Sequence, residues 1–204
     1  MKKLLFLAAT MLLTIAAFAE TIPANDSRVT YVGRTLVEGT DVSFDWTATY
    51  FRIAFSGKSL TMRASESKWD ADAEKAATRH NYYNVWIDSP TSAEPHRIIE
   101  VAGNDTIIEL IDPAYLKKSR RAVHEVIVQK RTEGEQGKTT IHEFATDAKG
   151  QFYPAEKLRE RQLEFIGDSY TCGYGIDAKS RKERFSPETE NASRSYAGIV
   201  SRYF

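Results

Sequence analysis

Ser169 is the residue in this sequence whose type and setting could support covalent chemistry. A serine hydroxyl is a poor nucleophile at neutral pH. It needs a base to take its proton and N–H donors to hold the oxyanion that forms on an attacked carbonyl. The run Leu163-Glu164-Phe165-Ile166-Gly167-Asp168-Ser169-Tyr170-Thr171-Cys172-Gly173-Tyr174-Gly175 reads as a buried parallel strand delivering Ser169 into a glycine-rich turn. Catalytic groups of α/β sheets gather at such carboxyl ends, where the hydroxyl is exposed and backbone N–H groups can approach a substrate. Tyr174 either walls a substrate pocket or packs the turn. The pattern is not the Gly-x-Ser-x-Gly elbow, because Thr171 stands where the second glycine would be.

Other chemistries have less support. His80, His96, His124 and His142 all precede Ser169, and none has an Asp three residues upstream. Their scattered spacing carries no metal-site signature, so no metal is expected. Cys172 is the only cysteine, which excludes an intramolecular disulfide. It reads as a small buried packing residue, with free thiol chemistry as the alternative. The 28 basic and 28 acidic side chains cancel, so no field favours nucleic acid or an anionic membrane. A neutral partner fits better.

The elements that must position Ser169 fall into two regions. From Arg28 to Tyr153 the pattern is mostly period two, with Phe51, Ile53 and Phe55 alternating with Arg52 and Ala54. Leu60 and Met62, then Tyr83, Val85 and Ile87, continue it, and Ile107 to Ile111 and Val126 to Val128 are short apolar runs. Turn signals at Ser56-Gly57, Asp88-Ser89-Pro90, Gly103-Asn104-Asp105, Gly134 and Gly137 separate them. Short strands spaced in this way predict an all-β sandwich, a jelly roll. Ser65 to Arg79, alanine-rich and charged, reads as a short helix or an edge loop. Tyr82, Trp86 and Tyr50 form either an aromatic sugar platform or packing.

Around Gly150 to Arg161 the alternation stops and the charge rises, as in a linker. After the Ser169 segment, Tyr196, Ile199, Val200 and Tyr203 recur at helical spacing, with Asn191 or Ser193 available as the cap. At the other end, Lys2 and Lys3, the apolar stretch Leu4 to Ala17, and Ala17-Phe18-Ala19 match a cleaved signal peptide, residues 1–19. A secreted or periplasmic product is expected, free of the membrane after cleavage.

Phe165-Ile166-Gly167-Asp168-Ser169 followed by Thr171-Cys172-Gly173-Tyr174-Gly175 resembles the first sequence block of the SGNH hydrolases, the GDSL-type esterases. The likeness is closer still to the second family of carbohydrate esterases, which join an N-terminal jelly roll to an SGNH domain. Lys130-Arg131-Thr132-Glu133, Gln136-Gly137, and Thr189-Glu190-Asn191 leading into Ser195-Tyr196-Ala197 also look like that family's pattern. The resemblance implies a β-sandwich over residues 20–158 and the start of an α/β SGNH hydrolase domain, its first strand-turn-helix, over 159–204. It implies an esterase removing acetyl groups from plant polysaccharides such as xylan or mannan. Ser169 matches the nucleophile, its own N–H one oxyanion donor, and Gly167 and Asp168 the residues that shape the turn. That chemistry requires no metal or organic cofactor, and the protein is expected to be a monomer.

In that family the base is a His in a later Asp-x-x-His block. The sequence ends at Phe204, roughly 35 residues after Ser169, too few to complete an α/β domain. The expectation is therefore a C-terminally truncated chain, inactive by itself, which a protease would trim back toward residue 158. Two other readings are a non-catalytic carbohydrate-binding module and a GDSL-type esterase acting on lipid or another acylated glycan.

Overall fold

The computed structural model describes residues 19–68, 80–157 and 160–204. The signal segment up to Phe18, most of the charged stretch to Arg79, and the boundary at Leu158 lie outside the described residues. Twelve strands are described: β1 (Thr21–Pro23), β2 (Thr30–Val32), β3 (Leu36–Glu38), β4 (Asp41–Phe44), β5 (Tyr50–Phe55) and β6 (Leu60–Ser67), then β7 (Asn81–Ile87), β8 (Arg97–Val101), β9 (Thr106–Glu109), β10 (His124–Lys130), β11 (Lys138–Thr146) and β12 (Phe152–Tyr153). They form two antiparallel sheets. One runs β3-β4-β11-β6-β9, and the other β12-β5-β10-β7-β8. The short strands β1 and β2 pair with β11 and β5.

Alternation places the core between the sheets. Phe51, Ile53 and Phe55 of β5, Leu60 and Met62 of β6, Tyr83, Val85 and Ile87 of β7, and Val126 and Val128 of β10 are all buried in it. Phe51 packs on Phe144 across the two sheets at 5.1 Å between centroids. In β11 the register slips between Ile141 and Glu143. Such a bulge lets Ile141 and Phe144 both face inward although they lie three positions apart. His142 is left outside, held by Asp41 and Ser65.

At one end of the sandwich the same alternation drives polar residues inward. Glu66 closes the inward row of β6, and Lys130 that of β10. Glu66 accepts from Asn81 and from the side chains of His80 and Lys68. Tyr83 donates its hydroxyl to Thr139 at 2.7 Å. This buried polar end is where the rest of the chain attaches.

Three short α-helices, α1 (Pro113–Lys118), α2 (Ser169–Cys172) and α3 (Tyr196–Ser201), and 3₁₀ turns at Gly134–Gln136, Pro187–Thr189 and Ala192–Arg194 complete the described elements. No described helix is long and apolar enough to cross a membrane. Two expectations need correction here. Leu163 to Ile166 form no strand, and Ile166 is 89% exposed. A parallel strand needs a neighbour to complete its ladder, and none is present among the described residues. The last helix is also capped later than expected, by Ser195, whose Oγ accepts from the Gly198 N–H. Asn191 precedes a 3₁₀ turn instead, because its side chain is engaged by Asn84 and Asp177.

Candidate active site

Ser169 opens α2. Asp168 is its N-cap: the backbone is extended there, and Oδ1 accepts the Tyr170 N–H at 3.0 Å. Ser, Asp and Asn are preferred at this position because their oxygen satisfies a helix-start N–H that has no intrahelical acceptor. The Ser169 N–H, at the first helical position, and its Oγ both lack a hydrogen-bond partner among the described residues, and the residue is half-buried. Gly167 has to be small, since a Cβ would strike the Thr171 side chain, which is hydrogen-bonded to the Tyr196 hydroxyl. Gly173 ends the helix in the left-handed region (φ 76°). A Cβ there would collide with the Asn191 carbonyl. Tyr174 donates its N–H to the Ser169 carbonyl, stacks on Phe185 and remains 47% exposed.

The sandwich grips this segment through Arg131, just beyond β10. Its guanidinium is buried and donates to Asn84 Oδ1 (2.7 Å), Asp177 Oδ2 (2.7 Å), and the carbonyls of Glu188 (2.9 Å) and Glu190 (3.1 Å). Asn84 also donates to Asn191, and Asn191 to Asp177. Arg194 reaches the second oxygen of Asp177. Burial alone would raise the Asp177 pKa, but hydrogen bonds from Asn191 and Arg131 hold it below the usual carboxylate range. The Lys-Arg-Thr-Glu and Thr-Glu-Asn strings, far apart in sequence, are thus two sides of one joint. Residues 177–194, after Ser169, are thus fastened to the sandwich by side-chain hydrogen bonds.

Beneath the joint lies a second polar pocket. Lys130 Nζ donates to the carbonyls of Thr132 and Glu133 and to the Thr132 hydroxyl. Burial pushes its pKa down to about 7, against the attraction of Glu190. Glu190, fully buried, accepts the Glu133 N–H at Oε1, while Oε2 has no partner among the described residues. Burial, followed by repulsion from Glu133, pushes its pKa up to about 8. Cys172 Sγ accepts from the Thr47 hydroxyl at 3.3 Å, and burial raises the thiol pKa. Ligand atoms of Glu133, Cys172 and Glu190 lie within 4.8 Å of one another. Cys172 is half-buried, where a fully buried packing residue was expected, because one side of the short helix it ends remains open.

All four histidines are engaged within the sandwich: His80 by Glu66, His96 by the Asp112 N–H, His124 by Asp88 and His142 by Asp41. None is brought to Ser169. Of the expected aromatics, Trp86 is buried and donates to the Ala93 carbonyl, which makes it packing, while Tyr82 and Tyr50 are half-buried, Tyr82 donating its hydroxyl to Glu188. Residues that sequence reasoning missed are Asn84 and Asp177, which carry no local signal, and Trp46, an exposed aromatic in the β4–β5 turn.

The family described as "Carbohydrate esterase 2 N-terminal" matches residues 31–155. "Cellulase/esterase CelE" of Acetivibrio thermocellus is 40% identical over 117 residues, covering 57% of this chain and 14% of that protein. An "Acetylxylan esterase / glucomannan deacetylase" of Cellvibrio japonicus is 30% identical over 182 residues, 84% of this chain and 43% of that protein. Among solved structures, a family two carbohydrate esterase from Cellvibrio japonicus superposes with a TM-score of 0.73 at 22% identity, over 91% of this chain and 49% of that one. That last likeness is one of fold. The chain spans less than half the length of each of these curated relatives.

Proposed function

The chain belongs to the carbohydrate esterase 2 N-terminal family, and from that premise we propose that it carries the sandwich and the nucleophile of a secreted serine esterase. The proposed substrate is an O-acetylated plant polysaccharide of the xylan or mannan type. Residues 20–158 are the proposed jelly-roll domain and 159–204 the opening of an SGNH domain. The observation that supports Ser169 most directly is its presentation. It sits at the start of a capped helix, and its Oγ and N–H have no partner among the described residues.

In this reading Ser169 Oγ attacks the acetyl carbonyl carbon and loses its proton to a general base. The Ser169 N–H receives the oxyanion, and the sugar hydroxyl leaves carrying the proton. Water then cleaves the acyl-enzyme by the same steps in reverse. Because each histidine is held by sandwich groups, the proposed base lies outside the described residues. Gly167 and Asp168 hold the turn, and Tyr174 is a proposed pocket wall.

The test is Ser169→Ala in the full-length gene product. Turnover of p-nitrophenyl acetate and of acetylated xylan should fall by about a thousandfold or more, with the melting temperature unchanged. Near-normal turnover would remove Ser169 from the mechanism. Polysaccharide binding with no Ser169-dependent hydrolysis would favour the binding-module reading instead.

A further inference from the structure

Trp46 is 58% exposed, whereas Trp86 is fully buried. An exposed tryptophan on a rigid support is the informative case, because burial of such a large apolar side chain is the ordinary outcome. The support here is the β4–β5 turn. The Thr49 N–H closes it onto the Trp46 carbonyl, and the Ala48 N–H, at positive φ (62°), bonds the Lys130 carbonyl. Thr47 Oγ1 contacts both the Thr132 carbonyl and Cys172 Sγ. The Arg34 guanidinium lies 5.1 Å over the indole and is itself tied to Glu164 at 2.6 Å. Arg34 thus lies over one ring face, while the residue as a whole stays 58% exposed.

Along the chain these contacts fall on either side of the nucleophile. Glu164 is five residues before Ser169, and Cys172 closes the helix that Ser169 opens. At the helical rise, Ser169 and Cys172 are separated by only about 4.5 Å along the axis. We propose that Trp46 is the platform of a sugar-ring subsite beside Ser169, stacking one pyranose of the acylated polysaccharide against its open face. A neutral pyranose suits the site: its C–H face packs on an indole, and the neighbouring charges of Arg34 and Glu164 already neutralise each other. The proposal rests on the esterase reading and adds to it a subsite supplied by the sandwich.

The experiment compares acetylated xylo-oligosaccharides with p-nitrophenyl acetate, which has no sugar ring, in the full-length gene product. Trp46→Ala should lower the ratio of the two kcat/KM values by about tenfold, mainly through KM for the oligosaccharide, and Trp46→Phe should restore much of it. An unchanged ratio, including equal loss on both substrates, would overturn the proposal. A second readout is independent of turnover. In the Ser169→Ala background, titration with the oligosaccharide should change tryptophan fluorescence saturably, and adding Trp46→Phe should abolish that change. Persistence of the change in the double variant would overturn the proposal, as would failure of acrylamide to quench Trp46. Should Ser169→Ala retain p-nitrophenyl acetate turnover, the esterase mechanism fails, while the fluorescence titration still decides the contact at Trp46.

Discussion

Replacing Arg131 with alanine should uncouple the Ser169 segment from the sandwich while leaving the sandwich folded. The side chain is 1% exposed and donates four hydrogen bonds, one of them to the carboxylate of Asp177. Removing one member of a buried ion pair costs about 3–5 kcal/mol when the other charge is left alone. Asp177 would not be alone, since Arg194 and Asn191 still reach it at 2.8 Å. The loss then comes mainly from the carbonyls of Glu188 and Glu190 and from Asn84 Oδ1, so the lower end of that range, about 3 kcal/mol, applies. All of these partners except Asn84 belong to the segment 177–191, so the cost falls on its attachment. The core between the sheets contains none of them. An attachment weakened by this amount opens roughly a hundredfold more often. Native-state proteolysis followed by mass spectrometry reads that population when opening and closing are fast relative to cleavage. Cleavage between residues 160 and 204 should accelerate by roughly a hundredfold, with fragments covering 19–157 persisting. Arg131→Lys should fall between, because an ammonium keeps the charge but cannot present the fork. Cleavage rates in Arg131→Ala within about threefold of the parent would refute the claim that this joint holds the segment.

Two further outcomes follow from the same region. Glu190, with its pKa raised to about 8 in the folded state from the ordinary 4.5, binds more protons folded than unfolded between those values. Its contribution to stability is therefore lost as pH rises through that window, and Glu190→Gln should flatten the slope of chemical-denaturation midpoints between about pH 5 and 8. Lys130, lowered to about 7 from 10.5, acts with the opposite sign between those values, so it opposes Glu190 between about pH 7 and 8, and stability should recover between about pH 8 and 10 in both proteins. A Gln variant with the parental slope would exclude Glu190 as the cause. Gly173→Ala should cost upwards of about 1–2 kcal/mol in thermal unfolding, since the left-handed backbone penalises a Cβ and the Asn191 carbonyl blocks it. A melting temperature within error of the parent would show that the turn relaxes freely.

The sandwich was legible in the sequence because its causes are local. Alternation at Phe51, Ile53 and Phe55 or Tyr83, Val85 and Ile87 repeats every two residues, and turn residues punctuate it, so strand, face and core can be read within a short window. The turn that Gly167 and Asp168 shape next to Ser169 is equally local, and the structure adds that Asp168 caps the helix there. Other features needed the tertiary structure, because their physical causes are distant along the chain. Asn191 looked like a helix cap until Asn84, 107 residues away, engaged its side chain and Ser195 took that role. Leu163 to Ile166 had the composition of a strand, but a strand exists only where another chain segment completes its hydrogen bonds, and among the described residues none does. Lys130 and Glu190 are charged residues that composition assigns to the surface. They are buried because β10 continues its alternation into the joint and residues 177–191 close over it. Which tryptophan faces solvent is decided in the same way. Trp86 lies under the loop that supplies the Ala93 carbonyl, while the β4–β5 turn, whose Thr47 contacts Cys172, leaves Trp46 exposed.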